Sequence, residues 1–313
     1  MSHIAVIGCG LVGRGWAIVF ARAGRSVLLF DSVPGAAEAA IAAIEHNIAD
    51  LTTAGLIDDP TAVLSRMRVA GGLAEALMGA EYAQESVFEE VETKRRVFRE
   101  IDACIGPETL VGSSSSGIPA SAFTQDVACR SRILVAHPVN PPHLVPVVEL
   151  VPAPWTDPQT VKTVRGLMES VGQAPVELAR EIEGFIINRL QGVLLMEAWR
   201  LVEDGCASVA DIDRTVALGL GLRWSFMGPF ETIDLNAPEG VRDYVTRYKG
   251  IYERLAPSQM RMVEWHGPVL NEIERDRRKR LSAGDLPKRQ VWRDRRLMAL
   301  AQHKRRAAKD IGE

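Results

Sequence analysis

The apolar positions of this chain form short continuous runs in its first half and long helical stripes in its second. Runs at 3–7 (HIAVI), 26–30, 67–70, 82–87, 110–112, 133–137 and 145–151 have the length of strands buried in a sheet. Helical patterns such as 91–105 separate them, and the alanine-rich stretch 36–62 predicts a helix followed by a helical or looped excursion. From Gly184 the pattern becomes helical. Residues 183–205 carry one long apolar face ending at Gly205, and 207–221 predict a further helix with Ser208 and Asp211 as an N-terminal capping pair. The next stretch is broken at Gly228-Pro229. The chain therefore divides into an α/β domain over 1–184 and an all-helical domain over 185–313.

The opening of the first domain is more specific than its periodicity. The strand 3–7 runs directly into Gly8, Cys9, Gly10, Leu11, Val12 and Gly13, then into an apolar helix, a second strand and Asp31. Strand, glycine turn, helix, strand and acid in this order make a Rossmann-type dinucleotide-binding unit. Gly8 permits the tight turn, Gly10 admits a pyrophosphate, and Gly13 allows close packing of helix on strand. The phosphates would meet the free N–H groups at the helix start, around Leu11 and Val12. Asp31 would accept from the ribose hydroxyls and repel a 2′-phosphate, so the expected cofactor is NAD.

Composition narrows the class. The 313 residues are 47% hydrophobic and 25% charged, with a formal net charge of −3, which suits two domains with real cores. Residues 271–313 hold fourteen Lys/Arg against seven Asp/Glu, which leaves −10 on the rest. The two signs interleave without an aromatic series, so this region reads as a solvated, helical, partly subunit-facing tail and not as a nucleic-acid surface. Arginines interrupt the apolar N-terminal region, so no membrane span is expected. Four scattered cysteines with no C-x-x-C spacing and no leader before them predict a reduced, cytoplasmic compartment, and no histidine or cysteine cluster predicts a metal.

Candidate chemistry lies at the strand ends. Residues 112–117 read GSSSSG, a serine turn that either contacts a ligand or caps a helix. His137 follows the apolar ILVA and opens the proline-rich HPVNPPHLVPVVEL. A histidine here can take a hydroxyl proton as hydride leaves the same carbon, and Glu149 is the nearest later carboxylate to orient it. His143 is the rival base, in an expected loop between prolines. Glu89 and Glu90 precede Lys94 by five and four residues, either as surface pairing on a helix or to place one ammonium at the cofactor crevice. Asn188, in the first apolar turn of its helix, needs a hydrogen bond to backbone or to ligand.

The segments VIGCGLVGRGWA, SSSSG, VAHPVNPPHLVPVVELVP, GFIINRLQ, EAWRLVEDG, GLGLRWSFMGPFETIDLN and WRDRRLMAL resemble the 3-hydroxyacyl-CoA dehydrogenase family, and within it the lambda-crystallin branch that includes L-gulonate 3-dehydrogenase. The resemblance implies that His137 is the general base and Glu149 its orienting partner. It also implies that Ser116 and Asn188 hydrogen-bond the reacting oxygen, that Glu89 and Lys94 lie near the nicotinamide, and that Asn140 steadies the loop or touches substrate. The chain departs from the acyl-CoA pattern twice. Ser113–Ser116 stand where those enzymes read S-N-T-S, and no lysine precedes Lys94, while Asp50, Asp58 and Asp59 occupy the excursion where CoA enzymes place lysines.

A small free hydroxy acid is accordingly the expected substrate, oxidised at its 3-hydroxyl as by an L-gulonate 3-dehydrogenase. The alternatives are a 3-hydroxybutyrate or other short-acid dehydrogenase, a 3-hydroxyacyl-CoA dehydrogenase, and a noncatalytic crystallin-like NAD-binding protein. Arg223, or Trp224 beside it, is the candidate for the substrate carboxylate or for an interface, and Arg293 is open to the same two readings. The helical domain is expected to complete the substrate cleft and form a homodimer.

Overall fold

The computed structural model describes residues 2–312. Eight strands form one sheet: β1 (His3–Ile7), β2 (Val27–Phe30), β3 (Met67–Val69), β4 (Ala80–Glu85), β5 (Leu110–Ser113), β6 (Ile133–Pro138), β7 (Val147–Pro152) and β8 (Ala174–Glu177). Their spatial order is β3-β2-β1-β4-β5-β6-β7-β8. The first six run parallel, β7 turns back antiparallel to β6, and β8 lies parallel to β7. The expected Rossmann-type arrangement is therefore present. The sequence pattern had not suggested β8, whose four residues APVE contain a proline and are largely exposed at the sheet edge.

Helices α1 (Leu11–Arg22), α2 (Ala36–Thr53), α3 (Pro60–Ser65), α4 (Leu73–Leu77), α5 (Val91–Cys104) and α6 (Pro158–Ser170) connect the strands. Two apolar layers cover the sheet. Trp16, Phe20, Ile44, Ile48, Leu29 and Leu150 belong to one, and Ile7, Ala83, Phe98, Val111, Ile133 and Phe185 to the other. Strands buried on both faces explain why their sequences read as unbroken apolar runs.

Beyond these come α7 (Ile187–Glu203), α8 (Val209–Thr215), a π-helical turn at Val216–Leu220, α9 (Gly221–Trp224), α10 (Pro229–Leu235), α11 (Val241–Gln259), α12 (Gly267–Arg280) and α13 (Leu286–Ile311). Ser208 caps α8 by accepting from the Asp211 amide at 3.1 Å, and Pro229 opens α10, as the sequence pattern indicates.

The chain forms two compact units. One reaches to Asn188 and includes Trp292–His303; the other is Arg189–Val291 with a stretch beginning at Lys304. The expected cut at residue 184 thus moves to 188, and twelve residues assigned to the helical domain belong with the sheet. Met298, 4% exposed, joins the apolar layer of Ile44, Ile48 and Leu51, and Arg295 meets Asp50 at 3.3 Å. In the second unit Trp199 stacks on Trp265 at 4.8 Å, and buried Arg200 donates to the Arg261 carbonyl at 2.7 Å. Val241, Val245, Tyr248, Ile251, Tyr252 and Leu255 on α11 are all exposed.

Candidate active site

The glycine turn joins β1 to α1, and each glycine is required by a different neighbour. Gly8 has φ +90°, and a Cβ there would lie 2.7 Å from the Ser86 carbonyl oxygen. A Cβ on Gly13 would lie 1.9 Å from the Gly8 carbonyl and 3.4 Å from Val6, so Gly13 closes the turn on itself before it packs helix on strand. A Cβ on Gly10 would meet nothing within 4 Å. Gly10 is the N-cap of α1 and offers no side-chain cap, so the first N–H groups, beginning with Leu11 and Val12, face the open side. This cradle suits a pyrophosphate.

Asp31, one residue past β2, is fixed by two backbone donors: the Cys9 amide to Oδ2 at 2.7 Å and the Val33 amide to Oδ1 at 2.9 Å. Each carboxylate oxygen keeps a lone pair for a ribose hydroxyl. Burial, then Asp31, pushes the Cys9 thiol up to about 12, which leaves it an inert neighbour of the turn.

His137 and Glu149 are twelve residues apart in sequence and directly opposite across the antiparallel β6–β7 pair. The imidazole Nδ1 lies 2.7 Å from Glu149 Oε2. Glu149 Oε1 accepts from the amides of Ile186 at 2.7 Å and Ile187 at 2.9 Å, which open α7. The chain makes this approach through two left-handed residues, Gly184 at φ +74° and Phe185 at φ +52°. Phe185 is fully buried, with its ring 5.7 Å from that of His137, and a non-glycine left-handed residue costs about 1 kcal/mol or more. A carboxylate so held can only accept at Nδ1, so Nδ1 carries the proton and Nε2 presents a lone pair.

Burial, then Arg22 and Arg293, pushes the His143 imidazole down to about 4, which makes it a weak base. Its loop packs on α1 where Gly15 leaves room for Pro142.

The serine run follows β5. Ser113 Oγ donates to Glu85 at 2.5 Å, the two residues being register partners on β5 and β4. Ser115 Oγ donates to Glu89 at 2.8 Å, and the same Glu89 oxygen accepts from the amides of Ser116 at 2.7 Å and Gly117 at 3.0 Å. Burial alone would raise the Glu89 carboxyl, but the Ser115 hydroxyl, the Lys94 ammonium and these amides hold it below the ordinary carboxylate value. Lys94 is 1% exposed and bonds both oxygens of buried Glu85, at 3.0 and 3.1 Å, with Glu89 at 3.5 Å. The Glu89–Lys94 pair is therefore no solvated helix-surface pair; it staples the serine loop. Glu85 went unnoticed in the sequence, although an acid closing a buried strand was the available signal.

Asn188 donates to the Ser116 carbonyl at 2.5 Å, which joins the start of α7 to the serine loop. Asn188 thus has the backbone partner that the sequence calls for, although its side chain is exposed and α7 begins only at Ile187, later than the pattern from Gly184 indicates. Ser116 and Asn140 are also exposed. Ser116, Asn188, His137 and Glu149 thus share one end of the sheet. Arg293 binds Asp294 at 2.8 Å and adds its charge at His143. Arg223 belongs to the second unit, exposed on α9, with Tyr244 within its field. No group of three or more His, Cys, Asp or Glu that would hold a metal occurs among the described residues.

Residues 3–182 match the sequence family described as 3-hydroxyacyl-CoA dehydrogenase, NAD binding domain, and residues 184–268 match the C-terminal domain of the same enzyme. Lambda-crystallin of Oryctolagus cuniculus is 38% identical over 97% of this chain and 97% of its own. L-carnitine dehydrogenase of Oceanobacillus iheyensis is 37% identical over 75% of this chain and 76% of its own. Among solved structures, a 5-formyl-3-hydroxy-2-methylpyridine 4-carboxylic acid 5-dehydrogenase, an NAD+ dependent dismutase, superposes with a TM-score of 0.82 at 29% identity, over 96% of this chain and 98% of that one.

Proposed function

The chain belongs to the 3-hydroxyacyl-CoA dehydrogenase family, and from that premise we propose that it oxidises the 3-hydroxyl of a small free hydroxy acid, as an L-gulonate 3-dehydrogenase does, with His137 as general base. The observation that carries this reading is the buried chain from the α7 amides through Glu149 to His137. NAD, the cofactor of this family, supplies the hydride acceptor, and its seat is the cradle Gly8–Gly13 with Asp31.

His137 Nε2 takes the hydroxyl proton as the carbon–hydrogen bond is lost. Glu149 holds the ring in that tautomer and offsets the imidazolium charge, while the amides of Ile186 and Ile187 keep the carboxylate from turning away. Ser116 and Asn188, tied by one hydrogen bond, hold the substrate oxygen in line, and Asn140 borders the same end of β6.

A free acid is favoured over a CoA thioester by charge. Residues 36–65 contain no lysine or arginine to meet nucleotide phosphates. Two acids in this stretch have structural tasks: Asp59 caps α3 and Asp50 meets Arg295. The missing cations therefore carry the argument more than the acids present. The helical unit, with its exposed α11 side chains, forms the surface of a homodimer. Four free cysteines, Cys9 and Cys129 buried and Cys104 and Cys206 exposed, support the reading of a reducing, cytoplasmic compartment. No helix among the described residues is long and apolar enough to cross a membrane.

Initial rates of NADH formation with L-gulonate, 3-hydroxybutyrate, L-carnitine and 3-hydroxybutyryl-CoA, measured side by side, test this reading. Preferred turnover of L-gulonate supports it. Preference for another free acid moves the substrate within the class, activity confined to the thioester overturns the charge argument, and no turnover with any of the four favours a noncatalytic role.

A further inference from the structure

One group of hydrogen bonds lies outside the proton-transfer machinery and has a direction that can be worked out atom by atom. Tyr82 is fully buried, its hydroxyl in the space that a side chain on Gly112 would fill, and burial pushes its phenol far above the ordinary value, so it stays a donor. It donates to Gln84 Oε1 at 2.6 Å. The Gln84 amide is oriented by the Ala136 carbonyl at 3.4 Å, which can only accept and so must face Nε2. The same Nε2 donates to Ser114 Oγ at 2.8 Å, and Trp16 Nε1 donates to Ser114 Oγ at 3.1 Å.

Ser114 has two acceptor lone pairs, and these two donors occupy both. Its one proton must therefore go to Ser86 Oγ, 2.9 Å away. Ser86 in turn accepts, and its own proton is directed away from the chain that feeds it. No acceptor for that proton occurs among the described residues, and Ser86 is half-buried immediately after β4, its carbonyl against Gly8.

The place of Ser86 in the sheet says what this donor meets. At the carboxyl ends of the parallel strands, in spatial order, stand Asp31 after β2, the glycine turn after β1, Ser86 after β4, the serine loop after β5 and His137 at β6. A dinucleotide with its adenosine ribose on Asp31 and its pyrophosphate at the turn continues past β4 before it reaches the reacting carbon.

We infer that Ser86 is a further cofactor-binding residue, an oriented hydroxyl donor to an oxygen of the nicotinamide-riboside half of NAD, with Ser114, Gln84 and Trp16 as the positioning residues that set its direction. The inference rests on the family's cofactor and is independent of the substrate and of the role of His137.

The test is calorimetric binding of NADH and of ADP, which lacks the nicotinamide riboside, to the full-length protein, together with Tm. A neutral hydrogen bond contributes about 1 kcal/mol, so S86A is expected to raise the NADH Kd about fivefold while leaving the ADP Kd unchanged, with a small fall in Tm because the Ser114 proton loses its acceptor. S114A strands the Trp16 and Gln84 donors, and is expected to lower Tm and weaken NADH binding with it. Wild-type NADH affinity in S86A overturns the inference. Equal weakening of NADH and ADP overturns it as well, because Ser86 would then only shape the pyrophosphate turn.

Discussion

Glu149→Gln tests the proposed chemistry with the least disturbance of the fold. Glu149 has two separate sets of partners: Oε1 takes the amides of Ile186 and Ile187, and Oε2 takes His137 Nδ1. A glutamine can satisfy both only with its carbonyl oxygen toward the two amides and its NH2 toward the imidazole. Nδ1 must then accept, the ring proton moves to Nε2, and the base is lost without loss of packing. The electrostatic part can be sized separately. An imidazolium and a carboxylate with charge centres about 4 Å apart, at an effective dielectric near 20, attract by about 4 kcal/mol. That corresponds to about a 10³-fold loss in turnover, to which the wrong tautomer adds. The assay is steady-state NADH formation with calorimetric NADH binding in parallel. Turnover should fall by about 10³-fold or more while NADH affinity and Tm stay close to wild type. Turnover within about tenfold of wild type would refute the base–orienter reading, since a carboxylate contributing 1.4 kcal/mol or less is not stabilising a buried imidazolium. Equal collapse of binding and turnover would show that the carboxylate chiefly holds α7 in place.

Three further outcomes follow from the same geometry. D31N removes the charge that repels a 2′-phosphate and exchanges one acceptor for a donor facing the Cys9 or Val33 amide, so the kcat/KM preference for NAD over NADP should fall by about tenfold or more; an unchanged ratio would move cofactor selection elsewhere. Glu89 has a lowered folded pKa, so its contribution to stability is present above the ordinary value of 4.5 and is lost as pH falls through the folded value. The Tm advantage of wild type over E89Q should therefore be full at neutral pH and shrink below 4.5, and an advantage that grows in acid would reverse the assigned sign. His143 acts in the same sense for a different reason, burial of its ring: the unfolded chain takes up a proton near pH 6.5 that the folded chain refuses until about 4, so unfolding free energy should fall by about 1.4 kcal/mol for each pH unit lowered across that window. Urea titrations should show this slope in wild type and not in H143N.

The parts of this molecule that were legible in the sequence are those where one local rule acts alone. The glycine turn and Asp31 are read from spacing, because each residue meets a neighbour close in the chain or an obligatory ligand shape. The sequence pairs His137 with Glu149 because Glu149 is the nearest later carboxylate and because the family resemblance implies it, although only the β6–β7 register shows them opposite each other. Legibility ended where partners come from different strands. Helical spacing leaves Glu89 and Lys94 open between a surface pair and an ammonium at the cofactor crevice, and gives no hint that the dominant partner of Lys94 is Glu85, nine residues back and fully buried. Residues 292–303 followed the basic tail in composition, yet the apolar side chain of Met298 assigns them to the sheet unit, a fact that charge counting hides.

The serine run shows how a departure from a family pattern can mislead when it is read as a string. The four consecutive serines do different work: Ser113 bonds Glu85, Ser114 takes Trp16 and Gln84 and gives to Ser86, Ser115 bonds Glu89, and Ser116 donates its amide to Glu89 and offers its carbonyl to Asn188. The departure from S-N-T-S at position 114 had appeared to bear on the substrate. In the structure that position faces Trp16 on α1 and the end of β4, and needs a group that accepts twice and donates once. A hydroxyl does this with its two lone pairs and one proton. Ser114 therefore belongs with Trp16, Gln84 and Ser86 as one set, and the set bears on how the cofactor is seated. The proposed preference for a free acid over a CoA thioester rests instead on the stretch 36–65, which has no lysine or arginine to meet nucleotide phosphates.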